Sequence, residues 1–197
     1  MAAIPKYLVI TADAGHLPLK SRSVDMMFAT PPTIGDIPYR KGDYCTDSPA
    51  QYGKWMEGFL GEANRILKPD GYLLMSGARS PRRTHVGKRL VDFGVLHKER
   101  TGKTWALKKL RTEYFWTHYL RVQSCWWAVR PWIYRELLLK YSQPGDIVAH
   151  VFSGSGNSGI ASLELNRTPI LLDLHYQRDA RRRLANCQKL VVAKVTP

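Results

Sequence analysis

The chain predicts an α/β fold, a doubly wound sheet in circularly permuted order, and three observations carry that prediction. An apolar run from Ile147 to Phe152 enters a glycine cluster, Phe152-Ser-Gly-Ser-Gly-Asn157. An amphipathic stretch leaves the cluster, and a second apolar run, Ile170 to Leu172, stops on Asp173. Together these form the pattern of a β-α-β unit able to hold a nucleoside. After Asp173 there is room for one helix and one strand, so the rest of the sheet has to come from the amino-terminal half.

The glycine cluster has a physical reason. Gly154 and Gly156 let the backbone turn sharply and approach a ligand, and a helix beginning near Asn157 turns its free N–H groups into the same crevice. A carboxylate at Asp173, at the end of the next strand, can accept both hydroxyls of a ribose.

The remaining elements follow in chain order. Tyr7–Thr11 reads as a strand, and Ala12-Asp13-Ala14-Gly15 as a turn that leaves a carboxylate at its end. Val24–Ala29 is a second apolar strand, stopping abruptly at Thr30-Pro31-Pro32-Thr33. Tyr52–Leu67 has Trp55, Phe59, Ala63 and Ile66 at helical spacing, with Lys68-Pro69-Asp70-Gly71 as its stop and turn, and Tyr72–Met75 is a strand. A short helix is expected at Lys88–Phe93, and antiparallel strand within Glu113–Arg130, where Val122–Val129 is apolar without helical period. Trp132–Tyr141 reads as a helix. Beyond Asp173, a helix is expected at Tyr176–Lys189 and a strand at Leu190–Val195. With no repeat, linker or low-complexity tract, 1–197 reads as a single domain.

Composition narrows the class. Hydrophobic residues make up 44% of the 197, and no segment approaches the ~18 consecutive apolar residues of a membrane span. Met1-Ala-Ala-Ile-Pro-Lys6 lacks the features of a secretion signal. Cys45, Cys125 and Cys187 are far apart and form no CxxC, so a reducing cytoplasm is expected, with neither a disulfide framework nor a metal site. The net charge of +14 points to a polyanionic partner. Much of it is gathered in a basic stretch at about 77–111, where Arg79, Arg82, Arg83, Lys88, Arg89, Lys108, Lys109 and Arg111 are the candidate nucleic-acid contacts. Gly102-Lys103-Thr104 is no phosphate loop, because His97 stands where the earlier glycine is required.

Thr30-Pro31-Pro32-Thr33 follows a buried strand, where doubly wound sheets place their chemistry. Consecutive prolines fix the backbone and remove two N–H donors, which suits the loop to accepting hydrogen bonds from an amino group. Three segments carry a resemblance: Ser23-Val-Asp-Met-Met-Phe-Ala-Thr-Pro-Pro-Thr33, Glu62-Ala-Asn-Arg-Ile-Leu-Lys-Pro-Asp-Gly-Tyr-Leu-Leu-Met75, and Glu136–Val148 leading into Phe152-Ser-Gly-Ser-Gly156. In that order the chain resembles the amino-methylating DNA methyltransferases, and with catalytic loop first and cofactor loop last it is similar to their β group.

The resemblance implies a circularly permuted, Rossmann-like methyltransferase sheet and S-adenosylmethionine as cofactor. It implies that Phe152, Gly154 and Gly156 match the cofactor loop, with Ser155 and Asn157 in the same candidate site. Asp173 matches the acid on the ribose and Asp13 an acid that helps hold the cofactor. Thr30, Pro31, Pro32 and Thr33 match the catalytic tetrapeptide, with the Thr30 hydroxyl and Pro31 carbonyl accepting the amino protons of the target base. DNA is the implied partner ahead of RNA, and adenine N6 the implied target ahead of cytosine N4.

Several positions depart from the family pattern. Thr33 replaces an aromatic residue that stacks on the flipped base, with Tyr39 or Tyr44 as candidate substitutes. His150 and Val151 replace Asp-Pro, and Asn157 replaces a common Thr. His150 is either a packed strand residue or a charge that alters cofactor binding. A competing reading therefore stands beside the enzyme: a nucleic-acid-binding or regulatory protein on an inactive methyltransferase scaffold. The short chain has no recognition insertion, so loose sequence preference is expected unless a homodimer or partner subunit supplies recognition. Such a compact enzyme would suit restriction-modification or a phage protecting its DNA.

Overall fold

The computed structural model describes residues 6–32, 48–76, 89–117, 120–122 and 125–195, with the side chains of 89–90, 116–128 and 189–195 outside that description. Within them, nine strands and four helices follow in the order β1 (Leu8–Thr11), β2 (Val24–Ala29), α1 (Pro49–Ile66), β3 (Leu67–Ser76), β4 (Arg89–Thr101), β5 (Thr104–Thr117), β6 (Leu120–Val122), β7 (Cys125–Ala128), α2 (Pro131–Tyr141), β8 (Ile147–Val151), α3 (Asn157–Glu164), β9 (Thr168–Asp173) and α4 (Gln177–Val195). Seven strands form one sheet in the order β1-β9-β8-β2-β3-β4-β5, while β6 and β7 pair separately. The five strands from β1 to β3 are parallel, and β4 and β5 are added antiparallel at one margin.

The sheet is buried on both faces because its central strands are apolar on both. In β2, Met27 and Ala29 join α1 residues Phe59, Ala63 and Ile66 in one core, while Met26 and Phe28 face Ile133, Leu137 and Leu138 of α2 in another. A third cluster closes α4 onto α3 and β9 through Ala180, Leu184, Leu163 and Leu171. Helix α1 therefore covers one face, and α2, α3 and α4 the other.

Helix ends are completed by side chains. Ser48 caps α1 by accepting from the Gln51 N–H at 3.2 Å, and Pro49 occupies the first turn, where its missing donor costs nothing. At the other end of α1 the buried Lys98 ammonium of β4 donates to the carbonyls of Asn64 and Leu67. Burial lowers the pKa of this lysine, with Arg22 adding to the effect. Arg167, also buried, does the same for α2 by donating to the carbonyls of Leu138 and Ser142. Cations at helix C-termini meet the negative end of the macrodipole as well as orphan carbonyls.

Three expectations need correction. Lys88–Phe93 is not a helix: β4 begins at Arg89, and the buried Val91, Phe93 and Val95 recur at every second position, the period of a strand. Leu190–Val195 is not a strand, since α4 continues to Val195; β1 already occupies the place beside β9. Lys68-Pro69-Asp70-Gly71 does end α1, but the four residues form a bulge inside β3, where pairing with β2 jumps from Val24↔Leu67 to Met26↔Tyr72. Among the described residues no helix is long and apolar enough to cross a membrane.

The bulge makes a prediction. A Cβ at Gly71 would lie 2.9 Å from the Asp25 carbonyl oxygen and 3.0 Å from that of Lys68, both main-chain atoms that cannot swing aside as the end of a flexible side chain would. Gly71→Ala is expected to cost ~1–3 kcal/mol in urea unfolding. An unchanged midpoint would show that the bulge yields freely.

Candidate functional site

The carboxyl ends of β1, β9, β8 and β2 lie side by side and bring four sequence segments together. The register pairs Thr11 with Asp173, Val151 with Leu172, and Ala29 with Val151. From β8 the chain crosses through α3 to β9 on one side, and from β2 through α1 to β3 on the other. The connections diverge between β8 and β2, which opens a crevice at the sheet's switch point.

On one wall of the crevice is the glycine loop. Phe152 has φ 58°, Gly154 φ 50° and Gly156 φ 84°, so the loop passes three times through the left-handed region. For a bulky residue such as Phe152 that backbone is strained and must be held by its surroundings. Its ring packs 5.5 Å from those of Trp55 and Phe59, both on α1. Its carbonyl accepts the Thr30 hydroxyl at 3.0 Å. Gly156 serves packing: a Cβ there would meet Leu184 at 3.0 Å and Leu171 at 3.1 Å, so its bareness lets the loop sit close to β9 and α4.

Asp173 and Asp13 bring carboxylates to neighbouring strand ends. Asp173 Oδ2 accepts the Gly154 N–H at 2.8 Å, and Oδ1 accepts the His175 N–H at 3.0 Å. Each oxygen keeps a lone pair for a further donor. Asp13 Oδ1 accepts the Gly15 N–H at 2.8 Å, and the following loop is pinned to α1. There Glu62 accepts from Leu17 N–H and from Arg65, while Arg65 donates to the carbonyls of Leu17 and Leu19. The Arg65 hydrogen bond holds the Glu62 carboxyl below its usual range.

On the opposite wall, Thr30 follows β2 directly. Its single hydroxyl hydrogen is committed to Phe152, which leaves the oxygen as an acceptor toward the crevice. Pro31 is buried and Pro32 half-buried beside it. Thr33, Tyr39 and Tyr44 lie outside the described residues.

Of the remaining predicted contacts, Ser155 and Asn157 are buried in the loop, and the Asn157 side chain serves the scaffold by donating to the Val129 carbonyl at 2.8 Å. Arg79, Arg82, Arg83 and Lys88 lie outside the described residues, as does the side chain of Arg89. Lys108, Lys109 and Arg111 sit on β5. Lys108 and Lys109 pair with His97 and Leu96, which pair with Tyr72 and Leu73 and through them with Met26 and Met27, so both lie level with the middle of β2 and three strands away from it. At ~4.8 Å per strand and ~3.3 Å per residue they are roughly 20 Å from Thr30. Lys108 is paired with Glu99 at 3.1 Å. Arg111 donates to the Tyr141 hydroxyl at 2.8 Å and lies 3.3 Å from Glu113.

His150 is a packed strand residue. It is 1% exposed, stacked on Phe28 at 5.5 Å, with Nε2 3.0 Å from the Ser162 hydroxyl. Because Ser162 donates its hydrogen to the Ser158 carbonyl, Nε2 carries the ring proton, and Nδ1 is left as a buried lone pair without a partner. Burial pushes its pKa down to about 3, so the ring is neutral and brings no charge to the crevice.

Two residues of the site were missed in the sequence. Trp55 has an indole Nε1 that is buried without a partner among the described residues, beside the Phe152 ring. Arg183 of α4 reaches the glycine loop. The helical spacing of Trp55 with Phe59 marked both as core, and Arg183 borders the apolar Ala180–Leu184 face of its helix, so neither stood out.

The fold of this chain is similar to that of solved DNA modification methylases. A Thermus thermophilus protein assigned to that class, in complex with S-adenosyl-L-methionine, is 19% identical over 92% of this chain and 94% of its own, with TM-score 0.56. The PvuII DNA methyltransferase, cytosine-N4-specific, is 12% identical over 95% of both chains, with TM-score 0.55. The M1.HpyAVI–SAM complex is 14% identical over 90% of this chain and 98% of its own, with TM-score 0.53. At these identities the likeness is one of fold. No protein-family model matches the chain, and no curated protein matches it.

The buried His150 makes stability fall with acid. Its folded pKa lies below the ordinary histidine value of 6.5, so the unfolded chain binds the extra proton. The contribution is complete above the unfolded value and declines as pH falls toward about 3. Between neutrality and about pH 5 the loss is expected to be roughly 2 kcal/mol in urea unfolding, and His150→Gln is expected to flatten that slope. An equally steep decline in the variant would assign the acid lability to other groups.

Proposed function

We propose that the chain is an S-adenosylmethionine-dependent DNA methyltransferase acting on an exocyclic amino group, with adenine N6 taken ahead of cytosine N4. The observation that carries this is the Thr30–Phe152 hydrogen bond. It joins a Thr-Pro-Pro acceptor loop to a glycine loop flanked by two carboxylates, so that acceptor and cofactor loop share one crevice. The fold supports the same reading, since the compared structures are DNA methylases and two of them hold this cofactor.

The donor set fits the cofactor. Asp173 keeps acceptor capacity on both oxygens, which suits the paired hydroxyls of a ribose. Asp13 adds a second carboxylate, suited to a ligand that carries positive charge, and Trp55 offers an unsatisfied N–H. When bound, S-adenosylmethionine supplies an electrophilic methyl carbon on a sulfonium.

The protein's task is to prepare the nitrogen. An aromatic amine delocalises its lone pair into the ring and is a poor nucleophile while planar. Thr30 Oγ1 and the Pro31 carbonyl would accept its two hydrogens and favour a more tetrahedral nitrogen. Neither oxygen is basic enough to remove a proton, so both act by aligning and polarising. Reaching the base requires its extrusion from a duplex, at a few kcal/mol, or a single strand.

The reading extends to one domain over 1–197 with its strand order permuted relative to dinucleotide-binding folds, and to loose sequence preference. The alternative, a scaffold that only binds, gains nothing from His150, whose ring is neutral and packed in the core.

Titration calorimetry with S-adenosylmethionine tests the proposal, followed by mass spectrometry of nucleosides from DNA treated with enzyme and cofactor. Asp173→Asn is the control, because it keeps an oxygen for a backbone N–H while removing the charge. Binding is expected in the wild type and to weaken by about tenfold, ~1.4 kcal/mol, in the variant. Thr30→Val is expected to bind cofactor and lose on the order of a hundredfold in kcat. Absence of binding by the folded wild type would overturn the proposal. An unchanged kcat in Thr30→Val would remove Thr30 from the reaction.

A further inference from the structure

The glycine loop holds its shape with little help from its own side chains. Its one internal tie is the Gly156 N–H donating to the Ser153 carbonyl at 3.0 Å. Three further backbone groups are held from outside, the Phe152 carbonyl by Thr30, the Ser153 N–H by the Leu172 carbonyl and the Gly154 N–H by Asp173. That leaves the Ser155 carbonyl, in a residue only 3% exposed, and the buried Asn157 side chain. Unpartnered, such groups would carry the desolvation penalty of a buried polar atom with nothing to offset it.

One guanidinium meets both. Arg183 Nη1 donates to the Ser155 carbonyl at 2.6 Å, and Nη2 to Asn157 Oδ1 at 2.6 Å. Asn157 passes the restraint on, with Nδ2 donating to the Val129 carbonyl ahead of α2. Three segments are clipped together: the glycine loop, the entry to α2, and α4. Both ends of the peptide between Ser155 and Gly156 are fixed, its carbonyl by Arg183 and its N–H by Ser153.

We infer that Arg183 is a positioning residue for the cofactor loop, setting the conformation in which the loop binds S-adenosylmethionine. The inference rests on the cofactor reading above. The chemistry requires arginine: a planar fork reaches two acceptors at once, whereas an ammonium is a point donor on a flexible stem. It also accounts for Asn157, whose amide accepts from Arg183 at Oδ1 and donates to Val129 from Nδ2, so that acceptor and donor are separate atoms serving separate segments.

Two readouts test it, one without ligand. Hydrogen exchange at the amides of 154–158 in the free protein is expected to quicken about tenfold or more in Arg183→Met, with the β9 amides unchanged. Titration calorimetry is expected to show S-adenosylmethionine binding about tenfold weaker in the same variant, with KM for the cofactor raised and kcat held within about threefold. Arg183→Lys should recover part of both effects, and Asn157→Ala, which spares the Ser155 contact, should give a smaller change than Arg183→Met. If Arg183→Met does not fold, Arg183→Lys carries the test, expected to lie measurably below wild type in both readouts. A folded variant with unaltered exchange and affinity would overturn the inference. If the wild type binds no S-adenosylmethionine, the functional proposal fails, while the exchange measurement still decides whether Arg183 sets the loop.

Discussion

The parallel register between β2 and β8 is the constraint on which the site depends. It aligns Met26 with Val148 and Ala29 with Val151, so Thr30 and Phe152 emerge as neighbours at the same pole. A slip of one residue would exchange the two faces of β2, turning Met27 and Ala29 away from the α1 core and Met26 and Phe28 away from α2. The Thr30 hydroxyl would lose the Phe152 carbonyl in the same step. Two fully used hydrophobic faces thus fix the geometry of one polar contact.

Buried and half-buried cations hold the scaffold at several points. Lys98, Arg167, Arg65 and Arg183 all donate to backbone carbonyls, at the ends of α1 and α2, at the loop after β1, and at the glycine loop. Long side chains suit this task, because their stems cross apolar ground while the head reaches orphan oxygens. Part of the +14 charge is therefore structural. The crevice itself differs from the rest of the molecule, presenting the carboxylates of Asp13 and Asp173.

Much of the architecture was legible because each element had a local signature. The apolar runs at Val24–Ala29 and Ile147–Phe152, the helical spacing from Trp55 to Ile66, and the glycine cluster each reported their own geometry. Where the reading failed, sequence neighbours competed with distant partners. At β4 the basic residues around Val91 and Phe93 masked a two-residue period that matters only once β3 and β5 flank it. At Leu190–Val195 the β-branched residues suggested a strand, but β1, from the other end of the chain, had the place beside β9. His150 could not be assigned because its neutrality follows from burial, in a core where its neighbours Phe28 and Ser162 are distant in sequence. Arg183 was hidden for a related reason, its acceptors being a carbonyl and an amide on another element.

The position of β5 gives the basic hairpin a further meaning. Among the described residues it is the last strand of the sheet, with no further strand paired on its outer side. Such a margin invites another chain to add itself as the next strand. Here Lys108 and Lys109 stand on it, and immediately beyond them Leu110 is an extra residue, unpaired where Val95↔Arg111 gives way to Leu96↔Lys109. Like charge and a broken ladder make a poor template for a second copy of the same strand. Charged side chains and a bulge are the devices by which natural sheets discourage pairing at an open margin, so the same basic residues that suggest a polyanionic partner also suit a strand at the end of its sheet.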